Sequence, residues 1–154
     1  MKSTGIDSFI FNFGGIKIPG KHVFLLRRNV VGIVNLKPLT DGHVLVCSRR
    51  EVNRMKLLNE AETLDLWYSA MEVQKTMEDI YKRTFTCVVQ DGPEAGQTVK
   101  QVHIHVLPHV EDESIFIKAS EERKPRDNDV MAEEAEKYRK LFEQNNVADV
   151  MRWQ

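Results

Sequence analysis

A nine-residue stretch alternates polar and apolar side chains and holds three of the five histidines of the chain: Gln101-Val102-His103-Ile104-His105-Val106-Leu107-Pro108-His109. Side chains alternate between the two faces of a β-strand. The apolar residues at 102, 104 and 106 should therefore enter a core, while Gln101, His103 and His105 share the other face. The pattern predicts a half-buried strand that carries two imidazoles side by side.

Two imidazoles on one face of a strand have three interpretations. They can belong to a polar surface that happens to contain histidines. They can hold zinc together with His109, since imidazole is a common zinc ligand, although His109 follows Pro108 beyond the strand. They can also supply a nucleophile or general base for attack on phosphorus, because imidazole is largely neutral near pH 7. Local spacing leaves the three interpretations open.

The loop before this strand contains residues that suit an anion. Gly92 and Gly96 let the backbone approach a ligand closely, and Gln90, Gln97 and Thr98 offer amides and a hydroxyl. The same residue types also form ordinary turns. They indicate an anion site only in combination with the neighbouring histidines.

The remaining chain alternates between strand and helix patterns. Apolar residues three or four apart predict a long helix from about 59 to 84, with Asn59 and Glu62 as a capping pair, and a last helix is expected with Asp129 as its cap. Asp41-Gly42 predicts a hairpin turn. Strands are predicted at 23–26, 30–34, 43–47, 85–90 and 98–107, the last two as neighbours. This order predicts an α+β domain with an antiparallel sheet.

Composition restricts the function classes. The 154 residues fit one domain, and 22 basic against 23 acidic side chains give a formal charge of -1, which argues against nucleic-acid or anionic-membrane partners. No apolar stretch approaches the roughly 20 residues that span a bilayer, and residues 1–10 lack a signal core. Cys47 and Cys87 have no metal-binding spacing and are expected to be reduced. We therefore expect a cytoplasmic protein.

One motif is misleading. Residues Gly15-Ile16-Lys17-Ile18-Pro19-Gly20-Lys21 match the first seven positions of a phosphate-binding P-loop. His22 stands where serine or threonine is required, and a strand pattern follows in place of a helix. We therefore expect no P-loop here.

The stretch from Gln90 to Pro108 resembles the signature of the histidine triad superfamily, and specifically its fragile histidine triad branch of dinucleoside triphosphate hydrolases. The resemblance continues through 34–38 and 42–47 and more loosely through 11–14. It implies a HIT-like fold with an antiparallel sheet of about five strands, one long helix and a C-terminal helix, and a sheet that continues across a homodimer.

Chain length predicts a single domain over residues 1–154, which the resemblance identifies as a HIT domain with its core at about 11–118. The charged composition predicts a mobile loop at about 118–129, and a C-terminal helix and tail are expected at 129–154.

The resemblance also assigns roles within the site. The family's middle triad histidine attacks the α-phosphate, which makes His103 the nucleophile, and the last triad histidine, His105, would donate a hydrogen bond to a phosphate oxygen. His43 would orient the catalytic imidazole. Gln101 occupies the usual place of the first triad histidine, whose structural hydrogen bond an amide can imitate. The implied substrate-binding residues are Asn35, Gln90, Gly96, Gln97, Thr98, Val99 and His105.

The implied reaction is hydrolysis of a dinucleoside polyphosphate, such as diadenosine triphosphate to AMP and ADP, through a nucleotidyl-histidine intermediate. Mg²⁺ or Mn²⁺ would accompany the substrate phosphates, and no tightly bound protein metal is expected. Two alternatives stay open. One is a nucleoside phosphoramidase, and the other is a nucleotide-binding signalling protein with slow turnover.

Overall fold

The computed structural model describes residues 5–112 and 123–144. Its helices are α1 (Glu60–Tyr81) and α2 (Asn128–Gln144). Its strands are β1 (Ile10–Phe13), β2 (Ile16–Pro19), β3 (Val23–Leu26), β4 (Val30–Val34), β5 (Val44–Ser48), β6 (Phe85–Val88) and β7 (His103–Pro108). Strands β3 to β7 form one antiparallel sheet in the order β3-β4-β5-β7-β6, and β1 pairs with β2 in a separate hairpin. The predicted α+β class with a five-stranded antiparallel sheet is confirmed.

The two faces of the sheet have different partners. Helices α1 and α2 pack on one face, where Ile104 and Val106 of β7 enter the main core. The β1–β2 hairpin covers part of the opposite face, where Phe13 packs in a second apolar cluster with Leu45 and Cys47. The alternation predicted for β7 is confirmed, and it leaves the histidines on the face without helices.

Helix α1 begins as the sequence predicts. The N–H of Glu62 donates to Asn59 Oδ1 at 2.8 Å, and the N–H of Asn59 donates to Glu62 Oε1 at 3.0 Å, which completes a capping box. Lys82 follows the helix with a left-handed φ of 52°. The helix therefore ends at Tyr81, three residues before the predicted end.

The cap predicted for α2 is wrong by two residues. Asp127 Oδ1 accepts hydrogen bonds from the N–H groups of Asp129 at 2.8 Å and Val130 at 3.4 Å. An N-terminal cap must lie just before the first helical residue so that its oxygen reaches the free N–H groups of the first turn. Since α2 begins at Asn128, Asp127 has that position and Asp129 lies inside the helix.

The strand predicted at 98–107 begins only at His103. The N–H of Val102 donates to the carbonyl of Val52 at 2.8 Å, and the N–H of Gln101 turns back to the carbonyl of Val99 at 2.8 Å. One tertiary bond and one local turn replace a sheet ladder, and β6 also stops early, at Val88. Residues 98–102 therefore form an irregular segment that leads into the site.

The P-loop-like stretch at 15–21 belongs to β2 and a short turn, after which β3 follows as expected. Neither helix in the described ranges is long and apolar enough to cross a bilayer. Three parts of the predicted domain layout lie outside the described residues, namely residues 1–4, residues 113–122 at the end of the predicted core and in the charged loop, and the tail from 145 to 154.

Candidate active site

Strand β7 fixes the two histidines on an interior strand of the sheet. It pairs with β5 over 103–106 and with β6 over 105–108, so the backbone is held on both sides at His105 and by β5 at His103. The ring centroids of His103 and His105 lie 4.9 Å apart on one face. Phe13 stands edge-on to the His103 ring at 5.0 Å, and only 7% of His103 is exposed. The two imidazoles are therefore adjacent, rigid and largely dehydrated.

The hydrogen bonds of His103 define its tautomer. Its Nδ1 lies 2.7 Å from the carbonyl oxygen of Gln101, and a carbonyl can only accept. Nδ1 therefore carries the hydrogen and Nε2 carries the lone pair. Burial lowers the pKa of His103, although the bond to the Gln101 carbonyl opposes the effect. A neutral imidazole with an oriented lone pair on Nε2 can act as a nucleophile.

His105 has the opposite tautomer. The backbone N–H of Leu39 donates to His43 Nδ1 at 3.0 Å, so His43 Nε2 carries a hydrogen and donates to His105 Nδ1 at 3.0 Å. The hydrogen of His105 must then lie on Nε2, which is buried and has no hydrogen-bond partner among residues 5–112 and 123–144. Burial, helped by the charges of His103 and Arg123, lowers the pKa of His105 to about 3. Neutral His105 can thus donate a hydrogen bond from Nε2 to an acceptor.

His43 contacts the second of the two predicted catalytic histidines. The resemblance implied that His43 orients the catalytic imidazole, and its Nε2 lies 3.0 Å from His105 Nδ1. Strand pairing gives the reason, because Cys47 lies opposite His103 and Leu45 lies opposite His105. His43 precedes Leu45 by two residues on the same face, so it can reach only the nearer imidazole.

Gln101 connects three parts of the chain. Its Oε1 accepts from the N–H of Gly14 at 2.7 Å, and its Nε2 donates to the carbonyl of Ser48 at 2.7 Å. Its own carbonyl accepts from His103. Gln101, whose side-chain amide is fully buried, therefore links the β1–β2 turn and the end of β5 to His103.

Gln97 bonds to the backbone of the glycine-rich loop, and Gln90 lies beside it. Gln97 Oε1 accepts from the N–H of Gly92 at 2.7 Å. Gly96 has a left-handed φ of +89°, which favours glycine, and the Gln90 side-chain amide lies close to it, since a Cβ there would approach Gln90 Nε2 to 2.6 Å. If the β6–β7 register is continued past the end of β6, Gln90 lies level with His103 on the same face.

The remaining residues predicted to contact a substrate, Asn35, Thr98 and Val99, have different surroundings from one another. Asn35 Nδ2 lies 3.3 Å from His43 Nε2, and Asn35 Oδ1 accepts from the N–H of Lys37 at 3.1 Å, so Asn35 adjoins the histidines. Thr98 is exposed, and Val99 packs against the second apolar cluster. Contacts of all these residues with a substrate stay predictions.

The zinc interpretation receives no support from this geometry. His109 is exposed, its Nδ1 lies 3.2 Å from Thr86 Oγ1, and it stands four residues, about 13 Å along a strand, from His105. Within the described ranges, no group of three or more His, Cys, Asp or Glu side chains is arranged to hold a metal ion.

The sequence interpretation missed two parts of the site. The β1–β2 hairpin supplies Phe13 and Gly14, and the Gly14-Gly15 pair between apolar residues was an available signal for a two-residue turn. Arg123 also acts on this site through its charge. No local pattern distinguishes it from the other basic residues of its charged segment.

Buried neutral histidines predict that acid destabilises the fold. Burial lowers the pKa of His43, His103 and His105 in the folded state. The unfolded chain therefore binds more protons below about pH 6.5, and stability that is present above pH 6.5 is lost as the pH falls. Urea unfolding from pH 7.5 to 5 should show losses of up to about 1.4 kcal/mol per pH unit for each such histidine.

Two variants check this pH dependence. His105→Gln should make the decrease in the free energy of unfolding less steep, while His109→Gln, which changes an exposed histidine, should leave it unchanged. A free energy of unfolding that is constant from pH 7.5 to 5 would contradict the prediction.

The fold and the two fixed imidazoles define a histidine-centred site on the open face of an α+β sheet. The HIT domain family model matches residues 18–112 of the chain. The chain therefore belongs to the HIT domain family.

Relatives within this family are similar over most of the chain. The bis(5'-adenosyl)-triphosphatase of Dictyostelium discoideum is 38% identical over 139 residues, which cover 86% of this chain and 93% of that protein. The nitrilase and fragile histidine triad fusion protein NitFhit of Caenorhabditis elegans is 46% identical over 140 residues, covering 84% of this chain. The chain spans only 32% of that fusion protein.

A solved structure is similar over the whole chain. The diadenosine triphosphate hydrolase of Plasmodium falciparum, in complex with cyclomarin A, aligns with a TM-score of 0.78 and 26% identity. The alignment covers 100% of this chain and 92% of that one.

Proposed function

We propose that the chain hydrolyses dinucleoside polyphosphates, with diadenosine triphosphate giving AMP and ADP. The observation that carries the proposal is the pair of opposite tautomers, which presents a lone pair at His103 Nε2 beside an N–H at His105 Nε2. One nitrogen can attack phosphorus while the other donates to an oxygen of the same phosphate. The similarity to a bis(5'-adenosyl)-triphosphatase and a diadenosine triphosphate hydrolase supports this substrate class.

The first chemical step forms a bond between His103 Nε2 and the α-phosphorus. The bond from that phosphorus to the bridging oxygen of ADP breaks, and ADP leaves with the electron pair. The Gln101 carbonyl stabilises the positive charge that develops on the imidazole, because it accepts from Nδ1–H at 2.7 Å. His105 Nε2–H stabilises negative charge on the phosphoryl oxygens.

The second step releases the nucleotide. Water attacks the phosphorus, the bond to His103 Nε2 breaks, and AMP leaves while a proton passes to solvent. The proposed contacts of Asn35, Gln90, Gly96, Gln97, Thr98 and Val99 hold the nucleotide during both steps. Mg²⁺ prefers oxygen ligands, and the described residues bring no carboxylate cluster to the histidines. Mg²⁺ or Mn²⁺ is therefore proposed only as a companion of the substrate phosphates.

Product chromatography tests the reaction. Purified protein is incubated with diadenosine triphosphate and MgCl₂, with EDTA or MnCl₂ in parallel samples, and the expected products are AMP and ADP in equal amounts. Adenosine phosphoramidate is assayed beside it. Cleavage of the phosphoramidate alone would overturn the proposal in favour of a phosphoramidase, and tight nucleotide binding without turnover would favour a signalling role.

We also propose a homodimer with a continuous sheet. Strand β6 is at the edge of the five-stranded sheet, and an unpaired edge favours pairing with another chain. Helix α1 exposes an apolar stripe with helical spacing, comprising Leu64 at 63% exposure, Trp67 at 39%, Tyr68 at 56% and Met71 at 57%. Gln74, on the same helix, contacts Cys87 of β6 at 3.2 Å, so stripe and edge form one surface.

A charged residue introduced into the apolar stripe of α1 should dissociate the dimer into monomers. Met71→Glu is expected to convert a dimer into a monomer, because an interface of this kind buries its apolar centre. Light scattering after size-exclusion chromatography measures the mass at about 50 µM. Val130→Glu, which changes an exposed apolar residue on α2, is the matched control and should stay dimeric. A monomeric wild type, or a Met71→Glu variant that stays dimeric, would contradict the proposal.

A cytoplasmic location without nucleic-acid or membrane partners is part of the same proposal. Its support is the formal charge of -1 and the two free cysteines, Cys47 and Cys87.

A further inference from the structure

Three buried side-chain atoms lack a hydrogen-bond partner in the described part of the chain: His105 Nε2, Arg123 Nε and Arg123 Nη1. All three are donors, since the guanidinium is protonated and the His43 contact places the hydrogen of His105 on Nε2. A buried donor without an acceptor is costly and rare in native proteins. Among the described residues these three donors have no acceptor, and a bound anion can supply one.

The backbone brings Arg123 to the end of the sheet that carries the site. Three residues further along, Arg126 donates its backbone N–H to the carbonyl of Leu36 at 2.9 Å and its Nε to the carbonyl of Asn35 at 3.0 Å. Asn35 in turn contacts His43 at 3.3 Å. The segment is therefore attached directly beside the histidines.

The positive charge of Arg123 affects two histidines of the site. It contributes to the lowered pKa of both His43 and His105, in each case after the larger effect of burial. Arg126 has a different role, because its guanidinium pairs with Glu134 and with the Asn35 carbonyl. Arg126 thus holds the segment in place, while two donor atoms of Arg123 have no acceptor among the described residues.

We propose that Arg123 binds a phosphate of the dinucleoside polyphosphate, next to the oxygen that receives the hydrogen bond from His105. A guanidinium presents parallel N–H groups that match two phosphate oxygens, and a dehydrated phosphate supplies the acceptors that all three buried atoms lack. This inference rests on the proposed function, and it names a substrate-binding residue that the triad pattern does not include.

Binding of AMP and of adenosine to the full chain separates phosphate recognition from recognition of the nucleoside. Arg123→Met should weaken AMP binding by about 10-fold or more in calorimetry, the usual effect of losing a charged hydrogen bond, and leave adenosine binding unchanged. Arg123→Lys keeps the positive charge but cannot present two parallel N–H groups to one phosphate. It should therefore lose less AMP affinity than Arg123→Met. Lys124→Met removes an exposed positive charge from the adjacent position and should bind AMP as wild type does.

Steady-state kinetics supply a second measurement. Arg123→Met should raise the KM for diadenosine triphosphate by a factor similar to its loss of AMP affinity. An unchanged ratio of AMP to adenosine affinity in Arg123→Met would overturn the proposal. If Arg123→Met does not fold, an AMP affinity of Arg123→Lys equal to wild type would do so.

The two proposals fail in different ways. If wild type does not cleave diadenosine triphosphate but AMP binding depends on Arg123, the phosphate contact stands and the reaction is wrong. If cleavage occurs and Arg123→Met leaves both AMP affinity and KM unchanged, the reaction stands and the Arg123 contact is wrong.

Discussion

Replacement of His103 by asparagine is expected to lower the turnover of diadenosine triphosphate by roughly 10⁴-fold or more, since removal of a covalent nucleophile has effects of that order. Asparagine can still donate to the Gln101 carbonyl from its side-chain amide, so the strand should keep its position. It has no aromatic nitrogen that could form the phosphoramidate. AMP binding should stay within about threefold of wild type, because the variant leaves the phosphate contacts in place.

Two further measurements separate loss of the nucleophile from loss of the fold. His109→Asn changes a nearby exposed histidine and should keep full turnover. Rapid base quenching of wild type, which preserves the acid-labile phosphorus–nitrogen bond, followed by mass spectrometry should find one adenylyl group on the peptide that contains His103. Near-normal turnover in His103→Asn, or an adenylyl group on another residue, would contradict the mechanism.

Much of this architecture follows from local sequence. The alternation along β7 predicted which side chains enter the core, because strand geometry allows no other assignment once one face is buried. The Asn59 and Glu62 capping pair was predictable because both partners lie within one helical turn. The histidines on one face of β7 were predictable for the same reason of periodicity.

What the sequence did not predict depends on contacts between distant segments. Residues 98–102 have the composition of a strand, but they pack beneath the β1–β2 turn, where a Cβ on Gly14 would meet Val99 Cγ1 at 2.6 Å. His43 lies against His105 because of the β5–β7 register, which no local pattern specifies. Arg123 is one of several basic residues in its segment, and only the fold distinguishes it from Lys124.

Gln101 gives the last prediction, because it stands where the family usually has a histidine. Its amide satisfies the N–H of Gly14 and the carbonyl of Ser48 at once, at 2.7 Å each, and it does so at any pH. Gln101→Leu would leave both backbone groups without partners and is expected to lower the free energy of unfolding by about 2–4 kcal/mol. The turnover of Gln101→Leu should fall as well, since the carbonyl of residue 101 would no longer be held against His103.

A neutral imidazole also has one donor and one acceptor, so Gln101→His should keep similar or modestly higher turnover near pH 8. Protonation removes the acceptor that Gly14 requires, and the kcat/KM of Gln101→His should therefore begin to fall at higher pH than that of wild type. Rate profiles between pH 5 and 9 measure this shift, and Asn29→Leu, which removes an amide that contacts Asp65, serves as the control. A large loss of turnover at pH 8 would show that the amide has a role beyond these two hydrogen bonds, because the imidazole supplies both.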